Sequence, residues 1–147
     1  MIFKLEPYVV IRDSVIIGEG TWIKEFTCIY SRATIGKSCK IRAQCVICED
    51  AIIGDFVEFG VGVQLMDHYK MCAFVKGEED FVAAPLIADG CRIGSNSQLY
   101  AGCRLYPNVI LLPNSIVLEN QVVTSGLWGM RDGKLVKIRD LKENEII

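Results

Sequence analysis

His68 is the only histidine in this chain of 147 residues, and Asp67 precedes it directly. A neutral imidazole within hydrogen-bond reach of a hydroxyl can take its proton, because the ring titrates close to neutral pH. A carboxylate can orient such a ring, although the side chains of adjacent residues often point apart. A lone histidine is more often structural or exposed than catalytic. The two residues by themselves therefore leave a catalytic and a structural role open.

A repeat of six residues predicts the elements that position this pair. Over residues 11–65 an aliphatic residue, once a phenylalanine, stands at every sixth position. A helix repeats at about 3.6 residues and a half-buried strand at two, so neither explains the spacing. A period of six predicts a parallel β-helix, in which three hexads form one triangular coil. The ladder residues are Ile11, Ile17, Ile23, Ile29, Ile35, Ile41, Ile47, Ile53, Phe59 and Leu65.

The period returns over residues 87–123 with a second mark. The residue three positions after each ladder residue is always glycine or asparagine. These residue types tolerate positive φ, which a tight corner requires. About three coils before the break and two after it predict an all-β fold of about five coils. The corner residues are Gly90, Asn96, Gly102, Asn108, Asn114 and Asn120.

The cysteines fit this repeat better than a metal site or a disulfide framework. Four of the seven stand four residues after a ladder residue, where a small side chain packs inward, and they are predicted to be buried thiols. Cys45 and Cys48 form a C-x-x-C, but there is no second pair and only one histidine, so we predict no metal. An odd number of cysteines argues against a disulfide framework. The four inward cysteines are Cys39, Cys45, Cys91 and Cys103.

Two segments depart from the repeat. Residues 66–86 lack the hexad period and predict an inserted loop, which is either a functional element or a tolerated surface excursion. After Val123 the turn signal Asp132-Gly133 predicts a β-hairpin, with strands near residues 127–131 and 134–138, that covers the open end. The expected organisation is one domain: solenoid 9–65 and 87–125, loop 66–86 and C-terminal cap 126–147.

Charge and hydropathy exclude some classes of partner. The formal net charge of −2 gives no basic field for nucleic acid. The sequence has no apolar run of about eighteen residues and no signal-peptide pattern at its start, so membrane insertion is not expected. A cytoplasmic location with reduced cysteines is the expectation.

The segments IIGEGTW, TIGKSCKI, AIIGDFVEFG and CRIGSNSQLYAGC resemble the hexapeptide-repeat acyltransferase family over residues 9–125. The resemblance implies a left-handed parallel β-helix. It is strongest to the sugar O-acetyltransferases and xenobiotic acetyltransferases, in which an essential histidine begins a loop that interrupts the coils. It therefore implies that His68 is the general base, with Asp67 as its orienting partner. Tyr69 and Glu79 are candidate acceptor-binding residues in the same loop.

The same resemblance implies acetyl-CoA as the acyl donor and a homotrimer, whose flat-sided prisms pack around a three-fold axis. In the family the pantetheine arm lies between subunits against small residues of the C-terminal coils. Basic residues would meet the CoA phosphates. The G-x-P-A-K stretch typical of the family's C-terminus is replaced here by GLWGMRDGKLVK. The candidate CoA-binding residues are Ala101, Gly102, Ser125, Gly126, Lys134 and Lys137, with Arg139 as a further cation.

The implied function is transfer of an acetyl group from acetyl-CoA to a hydroxyl of a sugar or sugar-like acceptor, as in polysaccharide biosynthesis. N-acetylation of a nucleotide-linked amino sugar is a close alternative. A non-catalytic structural or ligand-binding β-helix is an alternative of another class, since it needs neither His68 nor a CoA groove. The related gamma carbonic anhydrases bind zinc through three histidines, which one histidine in each chain does not supply.

Overall fold

The computed structural model describes residues 2–68 and 82–147. The chain winds into three parallel sheets, named A, B and C, and each coil contributes one strand to each sheet. The stacked coils match a left-handed parallel β-helix, as the resemblance implied. The strands are numbered β1 to β20 in chain order, and most contain two residues.

Sheet A contains, in spatial order, β1 (Lys4–Leu5), β4 (Trp22–Ile23), β7 (Lys40–Ile41), β10 (Glu58–Phe59), β13 (Arg92–Ile93), β16 (Val109–Leu111), β19 (Gly126–Arg131) and β20 (Lys134–Arg139). Sheet B contains β2 (Val10–Ile11), β5 (Cys28–Ile29), β8 (Val46–Ile47), β11 (Gln64–Leu65), β14 (Gln98–Leu99) and β17 (Ile116–Val117). Sheet C contains β3 (Ile16–Ile17), β6 (Thr34–Ile35), β9 (Ile52–Ile53), β12 (Leu86–Ile87), β15 (Arg104–Leu105) and β18 (Val122–Val123).

The hexad ladder forms the core. Residues eighteen apart stand opposite each other in neighbouring coils, as Ile23 does with Ile41. Across the insertion the partners are instead thirty-four apart, as Ile53 is from Ile87. Every ladder residue from Ile23 onward is buried, so stacking covers the aliphatic side chains that a single coil leaves exposed.

The solenoid begins one strand earlier than predicted, and it has about six coils rather than five. Lys4 and Leu5 form β1 and pair in parallel with Trp22 and Ile23. Leu5 stands six residues before Ile11 and so belongs to the ladder. The sequence signal was weak there because no ladder residue stands six positions before Leu5 to extend the period.

The corner prediction is confirmed, and the corners are more general than glycine and asparagine. All six predicted residues of the second run have positive φ. In the first run the same left-handed conformation is adopted by Phe26 at 62°, Arg32 at 62° and Phe56 at 58°. Such residues enter this region only at a steric cost. The ladder on either side therefore imposes the corner, whatever residue occupies it.

The inward position four residues after the ladder satisfies corner carbonyls. Thr21 Oγ1 donates a hydrogen bond to the Gly36 carbonyl at 2.7 Å. Cys45 Sγ donates in the same way to the Gly60 carbonyl at 3.2 Å. Small donors at this position thus supply partners for buried backbone oxygens of the next coil. The four cysteines predicted at this position are buried free thiols.

The predicted C-terminal hairpin is confirmed, with each strand one residue longer than expected. β19 pairs in parallel with β16, and β20 returns antiparallel to it. Trp128 and Leu135 pack against the core of the last coil. No helix among residues 2–68 and 82–147 is long and apolar enough to span a membrane.

A short tail follows the hairpin and lies beside sheet A. It contains the 3-10 helix Glu143–Glu145. The guanidinium of Arg139 donates to both carboxylate oxygens of Glu145, at 2.7 and 3.0 Å. The Ile147 amide donates to Asn108 Oδ1 at 2.9 Å, which fastens the end of the tail to a corner.

Candidate active site

The insertion leaves the solenoid at the corner between sheets B and C, here called the BC corner. This corner contains residues 48–51 in the third coil and 100–103 in the fifth. The chain departs after β11 and returns immediately before β12. An isolated antiparallel bridge joins His68 to Val82, and the Ala83 amide donates to the Asp67 carbonyl at 2.8 Å. His68 therefore stands at the base of the insertion, where outgoing and returning chain meet.

Asp67 and His68 form a hydrogen-bonded pair despite being adjacent in sequence. His68 Nδ1 lies 2.7 Å from Asp67 Oδ1. The His68 side chain is 52% exposed, whereas that of Asp67 is 16% exposed. In the neutral ring, Nδ1–H donates to the carboxylate and Nε2 is then the acceptor nitrogen. A half-exposed imidazole held by a mostly buried carboxylate is an arrangement suited to general base chemistry.

A groove of about 350 Å³ runs along the outer face of sheet C beside the BC corner. One wall is the returning end of the insertion, and the other is the outer face of four successive coils. Ala83 is both a groove residue and the hydrogen-bond partner of Asp67, so the groove adjoins the Asp67–His68 pair. The lining residues are Asp50, Ile52, Ala83, Ala84, Pro85, Leu86, Gly102, Arg104, Asn120 and Val122.

The groove combines an apolar floor with a few polar groups. Ile52, Leu86 and Val122 occupy the outward position in three strands of sheet C, β9, β12 and β18, and Ile52 is 50% exposed. Arg104 occupies the same position between Leu86 and Val122. Hexad spacing places Arg104 directly before an inward ladder residue, and this is the signal that could have identified it from the sequence. An apolar floor with one cation suits a flexible chain that carries an anionic group.

Asp50 at the rim of the groove is already paired within the chain. The guanidinium of Arg32 donates to both carboxylate oxygens of Asp50, at 2.9 and 3.2 Å. These hydrogen bonds hold the pKa of Asp50 below its usual value. Asp50 therefore remains a carboxylate at neutral pH, and Arg32 compensates its charge at the rim.

The candidate CoA-binding residues lie in three separate places. Gly102 lines the groove with φ of 71°, whereas Ala101 is fully buried and does not line it. Ser125 and Gly126 lie at a different corner, between sheets C and A, where the Ser125 hydroxyl donates to the Pro107 carbonyl.

Lys134 and Lys137 lie on the hairpin, and Lys137 Nζ contacts Asp140 Oδ1 at 2.6 Å. Within one chain, only Gly102 of the six stands beside the His68 groove. Tyr69 and Glu79, the candidate acceptor residues, lie outside the described residues.

Buried thiols near the site are unsuited to nucleophilic catalysis. Burial, together with the negative charge of Asp67, raises the pKa of Cys48 to about 12. Burial also raises the pKa of Cys103 to about 12. Both groups therefore remain protonated at neutral pH, and the thiolate is the nucleophilic form. Within the part of the chain that the structure describes, no cluster of three metal-ligating side chains occurs.

Several solved structures share this fold. Over 88% of this chain, WeeI from Acinetobacter baumannii AYE is 23% identical with a TM-score of 0.70. AntD, an N-acyltransferase from Bacillus cereus in complex with dTDP and Coenzyme A, is 14% identical over 98% of the chain with a TM-score of 0.81. The acetyltransferase domain of PglB from Neisseria gonorrhoeae FA1090 is 12% identical over 90% of the chain with a TM-score of 0.72.

The extent of these matches differs. The chain spans 86% of AntD but only 56% of WeeI and 56% of the PglB chain. No protein-family model matches the sequence, and no curated protein sequence matches it. At identities of 23% or less the comparison establishes a shared architecture and no more: the chain has the left-handed β-helix found in these acyltransferases.

Proposed function

We propose that the chain is an acyltransferase that moves an acetyl group from acetyl-CoA to a hydroxyl of a sugar or sugar-like acceptor. The observation that carries this proposal is the Asp67–His68 pair at the base of the insertion, beside an elongated groove. The solved neighbours support the donor, since AntD is in complex with Coenzyme A and the PglB domain with acetyl coenzyme A.

In this proposal His68 acts as the general base through Nε2. It takes the proton of the acceptor hydroxyl while the oxygen attacks the thioester carbonyl. Asp67 fixes the tautomer through Nδ1 and stabilises the imidazolium that forms. The new C–O bond replaces the C–S bond, and His68 returns its proton to the departing thiolate. Over the whole reaction one C–O bond forms, one C–S bond breaks and one proton passes from the acceptor to the thiolate through His68. The reaction as proposed therefore needs no redox partner.

The groove is the proposed binding site of the pantetheine arm. Its floor of Ile52, Leu86 and Val122 is apolar, and Gly102 lets a chain approach the backbone closely. The groove leads to Ala83, whose amide donates a hydrogen bond to the Asp67 carbonyl. A thioester at that end would lie beside His68. Arg104 supplies a cation for a phosphate or carbonyl oxygen of the donor.

A homotrimer accounts for the remaining candidate residues. Ser125, Gly126, Lys134 and Lys137 are not beside the groove of their own chain, and we propose that they contact CoA held at a neighbouring subunit. The outward residues Ile16, Ile52 and Val122 of sheet C are all at least half exposed, which favours burial against another subunit. The measurement is the mass in solution, with three chains expected.

An amine acceptor is the second candidate. AntD is described as an N-acyltransferase and is also in complex with dTDP-4-amino-4,6-dideoxyglucose and Coenzyme A, at a TM-score of 0.80 to this chain. An amine that is already partly neutral needs less help from a base. Retention of most activity in His68→Ala with an amino-sugar acceptor, alongside loss with a hydroxyl acceptor, would favour N-transfer.

His68→Ala is the central test, and kcat should fall at least ~100-fold because a positioned base contributes about 10²–10⁴-fold. Acetyl-CoA binding should persist, since the groove is intact; binding at 100 times Kd stabilises a protein by about 2.7 kcal/mol in thermal unfolding. Arg12→Ala, on an exposed corner of the first coil, is the matched control and should retain activity. Near-normal turnover of His68→Ala with a hydroxyl acceptor removes His68 from its role. No thermal shift at millimolar acetyl-CoA in the parent protein supports the non-catalytic β-helix instead.

A further inference from the structure

Trp22 stands at the centre of a cationic cluster on the outer face of sheet A. Its strand, β4, lies between β1 and β7, and the register places Lys4 on one side of Trp22 and Lys40 on the other. Lys24 follows two residues after Trp22 at the corner between sheets A and B. The groove beside His68 lies on sheet C, so this cluster occupies another face of the prism.

Three ammonium groups surround the single indole ring. The Nζ atoms of Lys4, Lys24 and Lys40 lie 4.5, 4.2 and 5.4 Å from the ring centroid of Trp22. Trp22 Nε1 donates to Glu6 Oε1 at 2.7 Å, so the ring is held in one orientation. The face of an indole attracts cations but does not neutralise them. Lys4 Nζ also contacts Glu6 Oε1 at 3.2 Å, so Glu6 partly compensates one of the three charges. Lys24 and Lys40 thus place two further like charges close together around an indole ring of fixed orientation.

The local charge is positive in a chain whose net charge is negative. Arg42 follows Lys24 by eighteen residues in the same corner column. Glu6 and Glu58 are the carboxylates of the cluster, and Glu58 pairs in register with Lys40. Four cations and two carboxylates give a local charge of +2, against −2 for the whole chain. Hydrogen bonding from Trp22 and Lys4 lowers the pKa of Glu6, so this count holds at neutral pH.

A cavity of about 350 Å³ adjoins the cluster. Trp22 and Lys40 form part of its wall, and Phe56, Ser38 and Glu58 form much of the rest. Ile147, at the end of the tail, also lines it. An aromatic wall next to ammonium groups can accommodate a planar heterocycle whose attached phosphates meet the cations.

We infer that this face of sheet A binds a pyrophosphate group, with an adjoining heterocycle placed in the cavity beside Trp22 and Phe56. A pyrophosphate supplies two or more negative charges within the span of the three ammonium groups, which relieves their mutual repulsion. Two kinds of molecule carry this chemistry: a nucleoside diphosphate, and the CoA of a neighbouring subunit. The site is independent of His68 and of the groove on sheet C.

Inorganic pyrophosphate, titrated calorimetrically at low salt, tests the site directly. The double variant Lys24→Ala/Lys40→Ala should bind it at least about tenfold more weakly, because two charge-assisted contacts are lost. The control, Arg12→Ala/Arg131→Ala, removes two exposed cations of the first BC corner and of the hairpin, and should bind like the parent. His68→Ala should also bind like the parent, which separates this site from the acyltransferase proposal. Trp22 emission should change on binding and the change should be absent in Trp22→Phe, which assigns it to Trp22 rather than Trp128.

A nucleoside diphosphate and CoA are titrated next into the parent and the double variant. If the double variant loses affinity tenfold for the nucleotide alone, the face is a nucleotide site. If it loses affinity for CoA, the face contacts the donor of a neighbouring subunit. The inference is overturned if the parent does not bind millimolar pyrophosphate at low salt, or if the double variant binds it within twofold of the parent. It is also overturned if a poly-glutamate peptide binds more tightly than either diphosphate, since the surface then recognises an acidic protein segment.

Discussion

The two ends of the solenoid are finished differently. At the C-terminal end the last ladder residues, Val117 and Val123, are completely buried. At the N-terminal end the corresponding residues of the first coil, Leu5 and Ile11, are 41% and 36% exposed. The same hexad position is therefore a core site at one end and a half-solvated site at the other.

The hairpin explains the difference. β19 adds a strand to the last coil's edge of sheet A, and Trp128 and Leu135 lie over its core. Among the described residues, β1, β2 and β3 each have a neighbour on one side only, so the first coil presents strand edges and aliphatic side chains together. A solenoid requires its terminal coils to be covered or made polar, because each coil contacts only its neighbours. The contribution of a ladder residue to the free energy of unfolding thus depends on its distance from an uncovered end.

A carboxylate introduced at a ladder position should show the largest difference between the middle of the solenoid and its uncovered N-terminal end. Ile35→Asp places an unpaired carboxylate in the middle of the prism, where Ile35 is 1% exposed, and should prevent folding. Leu5→Asp makes the same chemical change at the open end, where water reaches the side chain, and should fold. Circular dichroism and solubility of the two proteins provide the measurement. A soluble, normally folded Ile35→Asp protein would mean that the ladder is not interior.

Truncation of a ladder leucine to alanine should give a smaller difference in the free energy of unfolding, again with the greater loss at the covered end. Leu111→Ala, beneath the hairpin, removes a side chain that is 2% exposed and should cost about 2–5 kcal/mol, as buried leucines do. Leu5→Ala should cost less than about 1.5 kcal/mol because the residue is already partly solvated. Urea unfolding of both variants measures these free energies. Equal losses would show that the first coil is covered in solution by something outside the chain described here.

The C-terminal tail should give the smallest effect, a pH-dependent detachment of residues 140–147 from the solenoid. The Arg139 guanidinium, with the Lys142 amide, lowers the pKa of Glu145 from 4.5 to about 2. Because the folded pKa is depressed, this contribution to tail attachment is complete above pH 4.5 and is lost as pH falls towards 2. The protection of residues 140–147 against hydrogen exchange, relative to the intrinsic rate at each pH, should therefore fall over that window while the solenoid remains protected.

Arg139→Ala is the comparison for this experiment. It removes the guanidinium and should give low protection of the tail already at pH 7, with little further change in protection on acidification. A tail whose protection in the parent protein is unchanged between pH 4.5 and 2 would show that other contacts hold it, such as that between Ile147 and Asn108.

Much of the architecture was accessible from residue spacing. Ladder residues such as Ile29 and Ile47 repeat with the period of the coil, and each is paired with its partner eighteen residues away. Local turn chemistry identified the hairpin at Asp132-Gly133. Only the first strand, β1, was missed, because Leu5 has no earlier ladder residue to extend the period. The corners at Phe26 and Phe56 were also inaccessible, since neither residue type favours the left-handed region.

The site was accessible only in part. Its single histidine and the residue before it were evident in the sequence, but whether their side chains meet depends on how the chain leaves the coil. The contact between His68 and Asp67 follows from the bridge to Val82 and the hydrogen bond from Ala83, residues fourteen and fifteen positions after His68. Arg104 and the groove arise in the same way, from coils brought together by stacking.

The sequence by itself determined the period, the inward side chains and the places where the repeat is interrupted, because these depend on spacing along one chain. Tertiary structure alone decided which residues share a face: it placed Gly102 beside the insertion, Ser125 at another corner and three lysines around Trp22. The reason is geometric. A coil converts each eighteen residues into one step along the axis, and an insertion shifts that count by an amount that only the folded chain reveals.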